Sequence, residues 1–395
     1  MKFIISLILS ITTVISFGQI QPGFEKQEAR DMIALCNSFT FMELYNSDSK
    51  IIPAHYEKVY TSGIFGMDNK FQIYRKGKVA VINLRGSTDD MSSWLENMYA
   101  SMIPANGTIK TAGETFAYSF AKDTSAAVHA GYALGIVYLS NDIKYHIDNF
   151  NRDGIYDFII TGHSQGGSLA IMLRAYLENL PEGVISPKNK FKTYAFAHPM
   201  VGDKEFSAEY NKRFCINETG YSVVNPKDLV PKFPLAYNDE NYVADNLMKL
   251  FDDKESFDPR RLALEGVLNR FESFIGKSMQ YMGNSISEQL KRELGHVEMP
   301  GFVKEINYSK IENRVEIPPV EYPLILKDPT ILKNDSLMAV LPRDDKGNFT
   351  DRNLYEKEGI FYQHKPYNYY VSLLKTFFPK DYDALELKFL PENLR

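Results

Sequence analysis

Cysteine is almost absent from this chain. Only Cys36 and Cys215 occur among 395 residues, so a disulfide framework is excluded as the source of stability. An excess of one charge is also lacking. Lys and Arg number 45 against 50 Asp and Glu, a net charge of −5 with no basic tail or stripe, which disfavours nucleic-acid binding. No H-E-x-x-H, paired C-x-x-C or Walker sequence appears, so no metal or cofactor is expected. Asp344-Asp345-Lys346-Gly347-Asn348 misses the EF-hand spacing and reads as a β-turn. Aromatic residues, by contrast, are plentiful. The 26 Phe and 25 Tyr carry too much apolar surface to remain in water, which rules out disorder as the main state.

Long apolar runs are missing beyond the N-terminus. There, Lys2 precedes a stretch from Phe3 to Phe17 that is almost all apolar or small, followed by Gly18-Gln19. Ser16 and Gly18 occupy the two small-residue positions of a cleavage site. About fifteen residues is short for a membrane span of ~20, and no Cys follows for lipid attachment. Residues 1–18 therefore read as a signal peptide, with the chain exported to a periplasmic or extracellular location. Export makes a Cys36–Cys215 disulfide possible; two unpaired buried thiols explain the pair equally well.

The rest of the chain alternates strand and helix. A helix is expected over 25–46, strands at Phe71–Tyr74 and Val79–Leu84, and helices around 92–102 and 124–150. A buried strand at Tyr156–Thr161, a helix at Ser168–Leu180 and strands at Lys192–Ala197 and Tyr221–Asn225 follow. This order predicts an α/β fold with a mostly parallel sheet covered on both sides. Residues 19–239 read as its core. Residues 240–350 read as a mainly helical insertion, acidic and irregular over 240–258, with a helix start at Asp258-Pro259 and an apolar stripe from Leu264 to Leu294. Residues 315–345 within it are Pro-rich and read as loop and edge structure. Residues 351–395 close the core.

One motif carries most of the chemistry. Gly162-His163-Ser164-Gln165-Gly166 follows a strand and precedes a helix. In that context G-x-S-x-G marks a sharp turn that lifts the Ser hydroxyl off the sheet, beside free N–H groups of the helix start. A Ser hydroxyl needs a neutral His within reach to take its proton, and the His needs a carboxylate to orient it. Asp228 follows a strand, lies between Pro226 and Pro231, and sits where open α/β sheets place functional residues. In the Ser–Asp–His order the base must follow Asp228, which leaves His296 and His364. His163 reads as a packed elbow residue and His129 as a core hydrogen-bonder. His55, His146 and His198 read as ordinary surface or loop positions.

Four segments resemble the class 3 lipase family, which includes the fungal triacylglycerol lipases. Arg85-Gly86-Ser87 with Trp94 is similar to that family's oxyanion segment. Val128-His129-Ala130-Gly131-Tyr132 is similar to its V-H-x-G-F/Y stretch. The run Tyr194 to Asp203 and the run Val224 to Pro231 resemble the two that follow the elbow. The likeness covers roughly residues 75–235, and the 240–350 insertion has no counterpart. It implies the α/β-hydrolase fold and a lipid ester as substrate, with Ser164 as nucleophile and Asp228 as the triad acid. Ser87 and the Gln165 N–H would form the oxyanion hole. The family's closing motif, a loop His with a Tyr five residues on, matches His364 and Tyr369. Ala197, Met200 and Asp203 depart from the family pattern of Gly, Arg and Asn, which bears on acyl specificity rather than on the triad.

The same apparatus would serve a phospholipase A1 or a short-chain or aryl esterase, and an inactive scaffold could serve as a surface binding protein. The resemblance places a lid after the oxyanion strand, over residues 88–103. Met91, Trp94, Leu95 and Met98 recur there at helical spacing with Ser92, Ser93, Glu96 and Asn97 between them. Such a face could close over the site in water and turn onto a lipid surface. Protein partners are not legible.

Overall fold

The computed structural model describes residues 20–40, 51–88, 90–234, 290–292, 294–304, 307–359 and 361–394. The signal-peptide segment, the helix start at Asp258-Pro259 and the apolar stripe from Leu264 to Ile286 lie outside the described residues.

Strand formation begins with residues that suit burial on both faces. After helix α1 (Lys26–Thr40) come β1 (Glu57–Thr61), β2 (Phe71–Lys76) and β3 (Val79–Leu84). Every residue of β3 is buried, as in a strand covered on both sides. Helix α2 (Met91–Met98), the short strands β4 (Met102–Pro104), β5 (Asn106–Lys110), β6 (Thr115–Ser119) and β7 (Ala127–His129), and helix α3 (Ala130–Arg152) follow. Next are β8 (Asp157–His163), α4 (Gln165–Glu178), β9 (Lys190–Phe196), α5 (Lys204–Tyr210), β10 (Gly220–Val224), β11 (Arg314–Glu316) and α6 (Pro366–Phe377).

The main sheet has seven strands in the order β1-β2-β3-β8-β9-β10-β11. From β3 onward neighbouring pairs are parallel, and β1–β2–β3 form an antiparallel edge. Side chains alternate between the two layers as a pleated strand requires. Ala80, Ile82, Leu84, Phe158 and Ile160 join the core under α3 and α4. Val79, Val81, Ile159, Tyr194 and Phe196 join the core under α1 and α6. This is an α/β architecture, with a mostly parallel sheet between helical layers.

Three expectations need correction. The helix expected over 92–102 stops at Met98, because Met102–Pro104 pairs with Ala127–His129 as a separate small sheet. The helix expected from 124 accordingly begins only at Ala130. The chain also rejoins the sheet well before residue 351, since Arg314–Glu316 runs parallel to Ser222–Val224. Leu290 is buried and Leu294 packs against the same core as α3 and α4. Of the two readings of the cysteines, the free one holds: both are buried and unbonded. Cys36 lies in the core under α1 and Cys215 in the core under α3 and α4, so the sheet stands between them. Burial pushes both thiols up to about 12, which leaves them protonated and unreactive.

Helices α2 and α3 meet at a glycine. A Cβ on Gly131 would lie 2.0 Å from the carbonyl oxygen of Glu96, an overlap that only backbone movement could relieve. Gly131→Ala should therefore lower stability by about 1–3 kcal/mol, read as a lower urea midpoint at unchanged slope. Gly113→Ala, where a Cβ would meet nothing within 4 Å, should leave the midpoint in place.

Candidate active site

The carboxyl ends of β3, β8 and β10 converge on one region. At the end of β8 the chain reverses through Ser164, which has φ +59° and ψ −130°. That left-handed backbone is costly for a residue with a Cβ. Neighbouring glycines make the turn physically possible. A Cβ on Gly162 would stand 2.2 Å from the Gly166 carbonyl oxygen, and one on Gly166 would stand 2.2 Å from that of Leu84. Gly86 lets the end of β3 approach too, since its Cβ would lie 2.7 Å from the His163 carbonyl oxygen. Ser87 is thereby set beside the elbow.

Ser164 Oγ is 2.8 Å from His364 Nε2. His364 Nδ1 is 2.8 Å from Asp228 Oδ2. A carboxylate only accepts, so His364 carries its proton on Nδ1 and presents the Nε2 lone pair to the serine. Asp228 is almost wholly buried, and three donors hold it. Besides His364, Tyr369 Oη donates to Oδ2 at 2.8 Å and the Val230 N–H to Oδ1 at 3.0 Å. Tyr369 in turn accepts the Asn225 N–H at 3.0 Å. Burial and the facing carboxylate push its phenol well above the usual range, so it stays a donor.

Gln363 fixes the loop before His364. Its carboxamide accepts from Asn225 Nδ2 at 2.7 Å and donates to the Val320 carbonyl at 2.9 Å. The alternative base, His296, is exposed and lies beside Lys110–Thr115 instead. His163 is buried with its ring centroid 4.8 Å from that of His364. Burial, and then the nearby His364, lower its pKa well below the ordinary value, so no second imidazolium competes at the site. His198 is no surface residue. It is wholly buried, held by Ser222 Oγ at 2.7 Å, and burial lowers it to about 4.

The segment after β3 is tied to α2 and α4 by side chains. Gln165 opens α4, so its N–H is among those a helix leaves without an intrahelical acceptor. Ser87 Oγ donates to Gln165 Oε1 at 2.8 Å and accepts from Asn97 Nδ2 at 2.9 Å. Asn97 is held in turn by Tyr132 Oη at 3.0 Å and by His129, whose Nε2 lies 3.2 Å from its carbonyl. The Tyr132 N–H donates to His129 Nδ1. Burial lowers His129 to about 3, which keeps that ring neutral with its proton on Nε2.

Helix α2 is oriented differently from the lid expectation. Leu95 is buried and Trp94 and Met98 are half-buried, while the side chain of Met91 lies outside the described residues. Ser93 and Glu96 are buried in spite of their polarity. Their neighbours in the core, Asn69 and Gln165, are themselves polar. The departures at Ala197, Met200 and Asp203 are structural. Ala197 is buried at φ +50°, a conformation that favours glycine. Met200 packs with Met102, Ala127 and Tyr308. Asp203 caps α5 by accepting the Phe206 N–H at 2.9 Å.

Residues 81–238 match the lipase (class 3) family model. A lipase of Caenorhabditis elegans is 33% identical over 87 residues, which is 22% of this chain and 23% of the relative. The chain thus spans about a quarter of that curated relative's length. Among solved structures, lipase II from Rhizopus niveus is similar at 20% identity and a TM-score of 0.39, over 53% of this chain and 74% of that one. The triacylglyceride lipase of Rhizomucor miehei is similar at 18% identity and a TM-score of 0.39, over 55% and 77%.

The buried acid on α2 gives a pH signature. Desolvation pushes Glu96 from its ordinary 4.5 up to about 8, with the neighbouring Asn69 and Gln165 pulling the other way and Asp68 adding to the rise. Between those values the folded protein binds one more proton than the unfolded chain. The contribution is whole below the unfolded value and is lost as pH rises through the folded one. Wild type should therefore lose stability relative to Glu96→Gln, by on the order of a few kcal/mol between about pH 5 and about pH 8. Urea midpoints at the two ends would check this, and a constant gap would contradict it.

Proposed function

We propose that this chain is a serine hydrolase that cleaves carboxylic esters of lipids by way of an acyl-enzyme. The observation that carries the reading is the contact chain from Ser164, on its strained turn, to His364 and on to the buried Asp228. Ser164 Oγ attacks the acyl carbonyl as His364 Nε2 takes its proton, and the carbonyl electron pair moves to oxygen. The Gln165 N–H and Ser87 hydroxyl donate to that oxyanion. When the tetrahedral intermediate collapses, the C–O bond to the alcohol breaks and His364 returns the proton to the leaving oxygen. Water, activated by the same His364, then repeats the sequence and frees the acid. Asp228, held by Tyr369 and the Val230 N–H, keeps the imidazole in one tautomer and stabilises its transient charge.

The class 3 lipase match supports lipid esters as the substrate class, and so does the lipase relative. The N-terminal sequence supports an exported, periplasmic or extracellular enzyme. No metal or cofactor enters any step.

Because Ser164 and His364 act in one step, their losses should not add. Ser164→Ala and His364→Ala should each lower kcat by at least ~10³-fold, with the double variant little worse than either. Hydrolysis of triglycerides, phospholipids and nitrophenyl esters over a range of chain lengths is the assay. A His364→Ala protein with full activity would overturn the assignment of the base. Tyr369→Phe, which takes one charge-assisted hydrogen bond from Asp228, should lower kcat about tenfold with KM little changed.

A further inference from the structure

The Gln165 side chain has a role separate from its backbone. Its carboxamide oxygen accepts from Ser87 Oγ at 2.8 Å, Ser93 Oγ at 3.1 Å and Asn97 Nδ2 at 3.1 Å. An amide oxygen offers two lone pairs, so three donors oversubscribe it and one of them can leave cheaply. Ser87 is the donor with somewhere to go. It sits at the end of β3 beside the elbow, and its single proton rests on Gln165 while Asn97 holds its oxygen from the other side.

The other two donors are fixed. Ser93 and Asn97 lie four residues apart on α2, so one helix face presents both. That helix is pinned by Tyr132, His129 and Asn69.

We propose that the Gln165 carboxamide positions the oxyanion donor: it parks the Ser87 hydroxyl beside the reacting carbon and releases it as charge develops on the substrate oxygen. Ser93 and Asn97 keep the Gln165 oxygen satisfied throughout. The transition state therefore gains a donor without leaving a buried carbonyl unpaired, an omission that would cost about 1–3 kcal/mol. Helix α2 is then a fixed buttress of the oxyanion hole. The proposal rests on the ester-hydrolase reading and adds a positioning residue to it.

A mutant cycle on a water-soluble nitrophenyl ester tests it, with urea denaturation confirming that each variant is folded. Ser87→Ala should lower kcat by ~10²-fold. Gln165→Leu keeps the backbone N–H and should lower kcat about tenfold with KM within about twofold. In the Ser87→Ala background Gln165→Leu should have no further effect, because its influence passes through Ser87. Gln165→Glu keeps the shape but grips the proton with a carboxylate, so it should be slower than Gln165→Leu, again only while Ser87 is present. If Gln165→Leu does not fold, Gln165→Glu carries the same cycle. Losses that multiply in the double variant, or a change confined to KM, would overturn the proposal while leaving an active hydrolase. A folded wild type without ester turnover would overturn the hydrolase reading and the proposal together.

Discussion

The site depends on how closely three stretches of backbone approach one another at the end of β8. Gly162, Gly166 and Gly86 each stand where a Cβ would overlap a neighbouring carbonyl oxygen. Ser164 turns between them in a conformation that costs on the order of 1–3 kcal/mol. The flanking sheet and helix hold that strain, since β8 and the first residues of α4 are buried on all sides except at the serine. The turn puts a hydroxyl, a helix N-terminus and the end of β3 within one site. Without it, His364 and Asp228 would be an ordinary hydrogen-bonded pair beyond the carboxyl end of β10.

Around this turn the polar groups form two supporting frameworks. On one side Asp228, Tyr369, Asn225 and Gln363 lock the loop after β10 to the loop before α6. On the other side Ser87, Gln165, Asn97, Tyr132 and His129 lock the end of β3 to α2 and α3. Each framework is largely closed to water, where hydrogen bonds are stronger and unpaired groups costlier than at the surface. In the proposed mechanism these frameworks hold the acid, base and oxyanion donors rigidly, the condition for electrostatic catalysis. The neutral state of His163 and His129, enforced by burial, keeps stray positive charge out of both frameworks.

Much of this was legible in the sequence, for reasons of pattern length and chemistry. Val79–Leu84, apolar but for Asn83, and the apolar centre Phe158–Ile160 of β8 are the composition expected of parallel strands buried on both faces. The elbow was legible because only glycine tolerates its contacts. Asp228 and His364 were reached through strand order and resemblance, and the structure brings both into hydrogen-bond contact in series with Ser164. Of the short strands between Met102 and His129, β4 and β7 were missed because they pair across the intervening hairpin, and β5 and β6 because their composition is half polar, as in Thr115–Ser119. The burial of Glu96, Ser93 and His198, the last read as a surface or loop position, runs against hydropathy, which assigns polar residues to solvent. Here each faces another buried polar group. The Ser93–Asn97 spacing is the signal that could have revealed the inward face of α2.

The most direct test of the central claim is mass spectrometry of the intact protein after exposure to a fluorophosphonate, followed by peptide mapping. A single adduct on Ser164 is expected, and it should be lost when His364 is replaced by Ala, because the strained serine is nucleophilic only while the imidazole takes its proton. A folded wild-type chain that takes up no adduct, or takes it up on a serine other than Ser164, would contradict the account.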